Sequence, residues 1–348
     1  MLIKSIKLVN FRNYVDSIFE FNNESNQLIA PNGTGKTNVL EGIIVCSCGK
    51  SNKGATDKEL VRFGEKFYRI ECEYISGGRD KKIVITSDTN KKKITINDVS
   101  IKKTSQLIGE LAVVNFSPDD LAIIKGSPSL RRKLVDSILC QIDSKYLFAI
   151  NRYKKILIQK NKLYKRKGIS IEELKTWNEG LLEHGKTIYE KRVEYIKKLE
   201  KTASLKYKDM LSAKLNFVYK SDFEKIDIGK LNSYIEKEII MKQSLIGVQR
   251  DDIEILVDGK LAKNYSSQGQ IRSIVIAIKL AEIDILEKRF EETPVLLLDD
   301  VMSELDEERR AYIAGHIKNV QTIITCTDGG GESCIFLKEN GEQKDGIA

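Results

Sequence analysis

The 348-residue chain is 41% hydrophobic and carries a formal charge of +8, with 58 lysines and arginines against 50 acids and two histidines. It can bury a full core and divide into two domains, and no apolar run approaches the roughly 20 residues that cross a bilayer, so a cytoplasmic protein is expected and not a membrane-spanning one. Its six cysteines (Cys46, Cys48, Cys72, Cys140, Cys326, Cys334) form no C-x-x-C pair and only His184 and His316 could join them as ligands, which argues against a zinc site or a disulfide framework.

The opening MLIKSIKLVNF reads as a strand and not as a signal peptide. After it comes LIAPNGTGKTNVLEG, residues 28–42, in which 27–30 reads as a short buried strand and 36–46 as the helix that follows. The turn between them fits the phosphate-binding pattern G-x-x-x-x-G-K-[ST] at every position but the first, where Ala30 stands and requires a negative φ. Gly33 and Gly35 supply the permissive backbone, Lys36 is placed to reach the β- and γ-phosphates of ATP, and Thr37 to offer its hydroxyl to Mg²⁺. The candidate nucleotide site is Asn32, Gly33, Gly35, Lys36, Thr37 and Asn38. Further apolar runs at 68–74, 83–86 and 111–116, with turns at 76–78 and 88–90, predict a mixed sheet holding this one helix.

From about residue 128 to 242 the pattern is mostly helical, with apolar residues at helical spacing (Leu174, Trp177, Leu181, Ile188, Ile196, Leu199). Basic residues crowd 151–208, as in RYKKILIQKNKLYKRKG; such a run suits a phosphate backbone, although lysine-rich helices also serve as solvated faces. The last segment returns to sheet and helix, with a hairpin around Asp258-Gly259, a long helix over 267–290 and an apolar strand over 295–298. Because the P-loop lies in the first segment and its partner strand in the third, the helical segment is expected to be an insertion whose ends return close together. The expected division is 1–124, 125–242 as an inserted arm, and 243–348.

Two further motifs carry chemistry. In PVLLLDDVMSELD four apolar residues precede Asp299, at the carboxyl end of the strand, where a Walker B aspartate holds Mg²⁺ opposite the P-loop threonine. Asp300 follows, placed to orient a water as general base; the plainer reading has both acids capping the next helix. In YSSQGQIRSIVIAIKLAEI, Ser267 and Gln270 make a capping box, and Gly269 between them leaves first-turn N–H groups open to an anion.

The stretches LVNFRNY, PNGTGKTNVLEGI, FSPDDLAIIKGSPSLRRKLVD, RDD, YSSQGQIR and LLLDDVMSELD, running in order from residue 8 to 306, resemble the RecF family of bacterial recombination-repair ATPases, relatives of the SMC and ABC-type ATPases. The resemblance implies an α/β, ABC-type ATPase head with mixed sheets around a P-loop and an inserted helical arm. It makes Lys36 and Thr37 Walker A, Asp299 Walker B with Thr37 as metal ligand, and Lys36 and Asp300 the catalytic pair. Ser267, Gly269 and Gln270 would meet the γ-phosphate held by a partner subunit, with residues 303–306 as the D-loop.

The function this implies is an ATP-dependent, dimerising DNA-binding protein of replication, recombinational repair and the SOS response. It would bind duplex DNA or gap junctions, hydrolyse ATP weakly with stimulation by DNA, and work with RecO and RecR to load RecA. The alternatives are a transporter-type ATPase subunit and a non-hydrolysing ATP-gated clamp. Departures from the family pattern are Ala30, Gly54-Ala55 in place of an arginine-threonine pair, Gly247-Val-Gln249 in place of Gly-Pro-His, the lack of a Q-loop glutamine near Ser117, and TCTD (Thr325 to Asp328) where ABC relatives keep a switch histidine. Arg12, Arg131 and Arg132 are either phosphate ligands or members of ion pairs, the latter favoured.

Overall fold

The computed structural model describes residues 1–88, 91–166, 168–327 and 334–337; the turn expected over 88–90 lies partly outside them, and Asp328 wholly so. The strands are β1 (Leu2–Phe11), β2 (Tyr14–Glu20), β3 (Ser25–Ile29), β4 (Phe67–Ser76), β5 (Arg79–Asp88), β6 (Lys92–Ile96), β7 (Val99–Ile101), β8 (Val113–Phe116), β9 (Leu215–Lys220), β10 (Asp252–Val257), β11 (Lys260–Leu261), β12 (Val295–Asp299), β13 (Thr322–Cys326) and β14 (Cys334–Phe336). The helices are α1 (Lys36–Cys48), α2 (Asp57–Leu60), α3 (Ala122–Lys125), α4 (Pro128–Ile142), α5 (Ser144–Leu163), α6 (Ile171–Leu211), α7 (Ile228–Ser233), α8 (Ile235–Met241), α9 (Ala262–Tyr265), α10 (Gln268–Phe290) and α11 (Glu307–His316). They fall into two compact units, Met1–Asp120 with Ile278–Ala348, and Leu121–Ala277.

The first unit holds two sheets of single sense, not one mixed sheet. An antiparallel sheet runs β2-β1-β4-β5-β6-β7. Its inward face follows from period-two alternation, as in β4, where Tyr68, Ile70, Cys72 and Tyr74 are buried. Gly77 and Gly78, both at positive φ, close the β4–β5 hairpin with the backbone that strand twist favours. A parallel sheet runs β14-β3-β13-β12-β8, so strands from the two ends of the sequence interleave, as the split organisation requires. Buried on both faces, β12 reads as the continuous run Val-Leu-Leu-Leu.

Helix α1 shares one core with both sheets: Val39, Leu40 and Ile43 cluster with Leu8, Phe11 and Ile70 of one and with Leu297 and Ile323 of the other. It is accordingly apolar nearly all round. Gly42 sits where a Cβ would come within 2.8 Å of Leu8, which fixes how closely the helix approaches β1.

The second unit contains the long hairpin of α5 and α6 and an antiparallel sheet β11-β10-β9. The segment expected over 125–242 is therefore not wholly helical and does not end at 242: β9 pairs along its length with β10, and the unit that contains it runs from Leu121 to Ala277. Asp258 and Gly259, both at positive φ, make the expected turn, here between β10 and β11. Polar groups lock the hairpin. Fully buried Lys160 of α5 donates to Glu238 (2.8 Å) and to Asn178 of α6, and Tyr164 donates to the same carboxylate. Arg192 of α6 joins Asp136 (2.9 Å) and Asp251 (3.2 Å). Burying such charges costs several kcal/mol per ion, which pairing offsets, and removing one partner would leave the other as an uncompensated buried charge.

Candidate nucleotide site

The loop between β3 and α1 is shaped by its own sequence. Ala30 is not among the positive-φ residues, so it takes the place of the usual glycine without backbone strain, and its N–H donates to Cys326 O at 3.3 Å. Gly33 (φ 85°) and Gly35 (φ 109°) occupy conformations that a side chain resists. Thr34 closes the turn by donating to Pro31 O at 2.8 Å. Lys36, buried, donates to Ala30 O and to Pro31 O (3.2 Å), so its ammonium is held inside the loop. Asn32 and Gly33 are exposed at the tip.

Two residues that sequence reasoning did not single out clamp this loop. Asn13, in the turn between β1 and β2, donates to Thr34 O (2.8 Å) and accepts from the Asn38 amide (2.8 Å); Tyr14 donates to Gly35 O (3.0 Å). A Cβ on Gly35 would lie 2.4 Å from the Asn13 amide, so the glycine is required by contact as well as by φ. Both clamp residues lay in the stretch LVNFRNY, but no local periodicity marks a contact made across twenty positions.

Thr37 and Asp299 are brought together: the threonine hydroxyl donates to Asp299 Oδ1 at 2.7 Å. Thr325 of β13, opposite Asp299 in register, donates to the same oxygen at 3.0 Å and accepts the N–H of Asp300 at 2.9 Å. Asp300 has φ 56°, a left-handed conformation uncommon outside glycine, and Ser303 donates to its carbonyl at 2.8 Å. Neither acid caps the next helix; Asp306 does, accepting from Arg309 N at 3.0 Å. The hydroxyl and carboxylate of Thr37 and Asp299 are hard oxygen donors suited to Mg²⁺. Among the described residues no set of three or more acidic, histidine or cysteine side chains could cage a metal.

Ser267, Gly269 and Gln270 belong to the other unit. They form the expected capping box at the start of α10: Ser267 N donates to Gln270 Oε1 (2.8 Å) and Gln270 N to Ser267 Oγ (3.3 Å).

Two of the three arginines, Arg12 and Arg131, are members of ion pairs, and Arg132 is held by a backbone carbonyl. Arg12 (φ 55°) grips Glu41 of α1 with two bonds of 2.7 and 2.9 Å and donates to Glu59 O. Burial opposes ionisation of Glu41, but Arg12 and the Ser51 hydroxyl outweigh it and hold the carboxyl below its usual range. Arg131 grips Asp252 at 2.7 and 3.0 Å, and Arg132 donates to Asp251 O. The Arg-Asp-Asp run thus ties α4 to β10. Gln249, at the position of the family histidine, accepts from Tyr153 OH.

The family model for the RecF/RecN/SMC N terminal domain matches residues 2–330. A DNA replication and repair protein RecF of Clostridium kluyveri is 39% identical over 94% of this chain and 93% of its own length; that of Clostridium acetobutylicum is 37% identical over 98% and 96%. The solved recombination mediator protein RecF-ATPrS in the RecFOR pathway superposes with a TM-score of 0.92 at 34% identity, covering 98% of this chain and 97% of that one. An SMC head bound to the C-winged helix domain of ScpA, 15% identical, shares the fold with a TM-score of 0.58. The fold is therefore the ABC-type ATPase head of the RecF and SMC proteins, with its insertion.

Proposed function

The chain belongs to the RecF family, and from that premise we propose that it is a recombination mediator that dimerises on ATP, binds duplex DNA or gap junctions, and acts with RecO and RecR to load RecA. The observation that carries the reading is the 2.7 Å bond between Thr37 and Asp299, which sets a P-loop hydroxyl and a Walker B carboxylate side by side at the carboxyl ends of β3 and β12. A transporter-type role is not favoured, because the relatives matched over nearly the whole chain, insertion included, are RecF proteins.

In this reading the N–H groups of Asn32, Gly33 and Gly35 cradle phosphate oxygens, Lys36 leaves its loop carbonyls for them, and Asn38, held by Asn13, keeps the first turn of α1 in place. Thr37 and Asp299 hold Mg²⁺, which when bound neutralises charge on the phosphates. Asp300 orients the attacking water as general base. Ser267, Gly269 and Gln270 present the N-terminus of α10 to nucleotide held by a second protomer, so ATP joins two heads and hydrolysis frees them. Turnover is weak and DNA-stimulated, and the protein works in the cytoplasm.

The test is the solution mass of the full-length Asp300→Asn variant with and without Mg-ATP, with Ser267→Arg in the same background as control. A monomer that becomes a dimer only with ATP, and only with Ser267 intact, is expected. A mass that ignores ATP, or a control that dimerises equally, overturns the composite site. Residual turnover unchanged by Asp300→Asn would favour the non-hydrolysing clamp.

A further inference from the structure

The exposed face of α5 carries charge of one sign. From residue 144 to 171 the sequence contains no carboxylate and nine lysines or arginines. On α5 the exposed positions Phe148, Arg152, Lys155, Gln159 and Lys162 recur at steps of four and three, so they share one face, and Lys165 and Arg166 extend it into the following turn. The face spans about 21 Å along the helix. Among the described residues none of Arg152, Lys155, Lys162, Lys165 or Arg166 has a carboxylate partner; on the same helix Lys160 is consumed by Glu238, and Lys154 lies 3.9 Å from Asp136. Arg152 rests over the Phe148 ring, 5.5 Å from its centroid, and His184 meets that ring edge-on. On α6 the exposed charges are mixed instead: Lys186 stands between Glu183 and Glu190, and Glu194 is bridged by Lys198 at 2.7 Å.

We propose that the exposed α5 face is the nucleic-acid surface of this chain, taking the phosphate backbone of duplex DNA. The inference rests on the DNA-binding reading above and gives it a place. Protein partners are the poorer occupant, because their interfaces deplete lysine and the two exposed apolar side chains of α5, Phe148 (covered by Arg152) and Ile158, are scattered and form no apolar centre, whereas a row of cations without carboxylate partners and with interleaved Asn151 and Gln159 donors is what a sugar-phosphate backbone recruits. Contacts of this kind carry little base readout, so affinity is set by charge and salt.

The experiment measures binding of the full-length protein to a labelled 30-base-pair duplex (a probe length of about three helical turns) by anisotropy over a salt series with ATP. The wild type is compared with Arg152→Gln/Lys155→Gln/Lys162→Gln and with the charge-keeping Arg152→Lys/Lys155→Arg/Lys162→Arg. The neutral variant is expected to lose tenfold or more in affinity and about 3 units from the slope of log K against log salt. The charge-keeping variant should bind as the wild type does. Melting temperature and ATP-dependent mass, unchanged in both, show that fold and head are intact. A wild type that binds no duplex overturns the DNA reading and this placement with it. A wild type that binds while the neutral variant keeps its affinity and slope overturns the placement alone, and leaves the face to an acidic protein surface.

Discussion

The hydroxyl of Thr325 stands between two consecutive acids of the neighbouring strand, donating its proton to Asp299 at 3.0 Å while accepting the N–H of Asp300 at 2.9 Å. One side chain thus aims the Asp299 carboxylate at Thr37 and anchors the left-handed backbone that turns Asp300 out of the strand. Thr325→Val removes both bonds at almost constant volume. It should lower ATP turnover tenfold or more and weaken the Mg²⁺ dependence of ATP affinity, while affinity without Mg²⁺ changes less than about threefold. Thr325→Ser should restore both. Loss of Mg²⁺-free binding in Thr325→Val would mean that the residue merely supports the sheet.

Gly35 and Asn13 make a second linked pair. Asn13→Ala frees Thr34 O and Asn38 together and should cost about 1–2 kcal/mol of ATP binding, roughly five- to thirtyfold in Kd by titration calorimetry. Gly35→Ala, strained at φ 109° and colliding with the Asn13 amide, should abolish binding. Pairing it with Asn13→Ala removes the collision but leaves the φ strain, so little recovery is expected.

Arg12→Ala leaves Glu41 of α1 as a buried carboxylate stripped of its ion pair and held by Ser51, and should destabilise the first unit by about 2–4 kcal/mol in urea unfolding. Removing the charge as well, in Arg12→Ala/Glu41→Gln, should recover at least half of the loss. A destabilisation that the second substitution leaves unchanged would place the cost elsewhere, in the bond from Arg12 to Glu59 O.

Buried Lys279 on α10 lies 3.2 Å from Asp120 and 3.6 Å from Glu282, whose Oε1 has no hydrogen-bond partner among the described residues. Burial pushes the Glu282 carboxyl up to about 7, while Asp120 helps keep Lys279 charged. The folded state therefore binds the Glu282 proton more tightly than the unfolded one. This group's contribution is most favourable below about pH 4.5 and falls as pH rises toward 7, by an amount on the order of 3 kcal/mol. Glu282→Gln stays neutral throughout, so its melting temperature relative to wild type should climb between pH 5 and 8. A constant difference across that range would refute the assignment.

Much of this was legible in advance. The strand-loop-helix of residues 25–48, the apolar strand over 295–299 and the capping box at Ser267 follow from short patterns whose physics is local. What was not legible depends on pairing at a distance. LNFVYK, set among charged helices, becomes β9 only because β10 supplies a ladder some thirty residues on. The expected single mixed sheet divides because β3 and β8 find parallel partners in β12, β13 and β14, while their sequence neighbours pair antiparallel. Asn13 and Tyr14 are each a single polar residue with no period to betray it; Thr325 was marked only by its place where ABC relatives keep a switch histidine, and its bonds to Asp299 and Asp300 exist only once β12 and β13 pair.

The interleaved sheet also has a consequence for synthesis. Among the described residues the strand before the P-loop, β3, pairs only with β13 and β14, and β8 only with β12, so a nascent chain that has just completed β8 has the antiparallel sheet in full but neither parallel pairing. About 180 further residues must be translated before β12 appears, roughly 10–40 s at ordinary elongation rates. Until then Thr37 has no Asp299 to meet. The ribosome-bound fragment should retain no nucleotide, and two hydrophobic strands await cover through the synthesis of the entire second unit, which makes this interval the one in which a chaperone has most to protect.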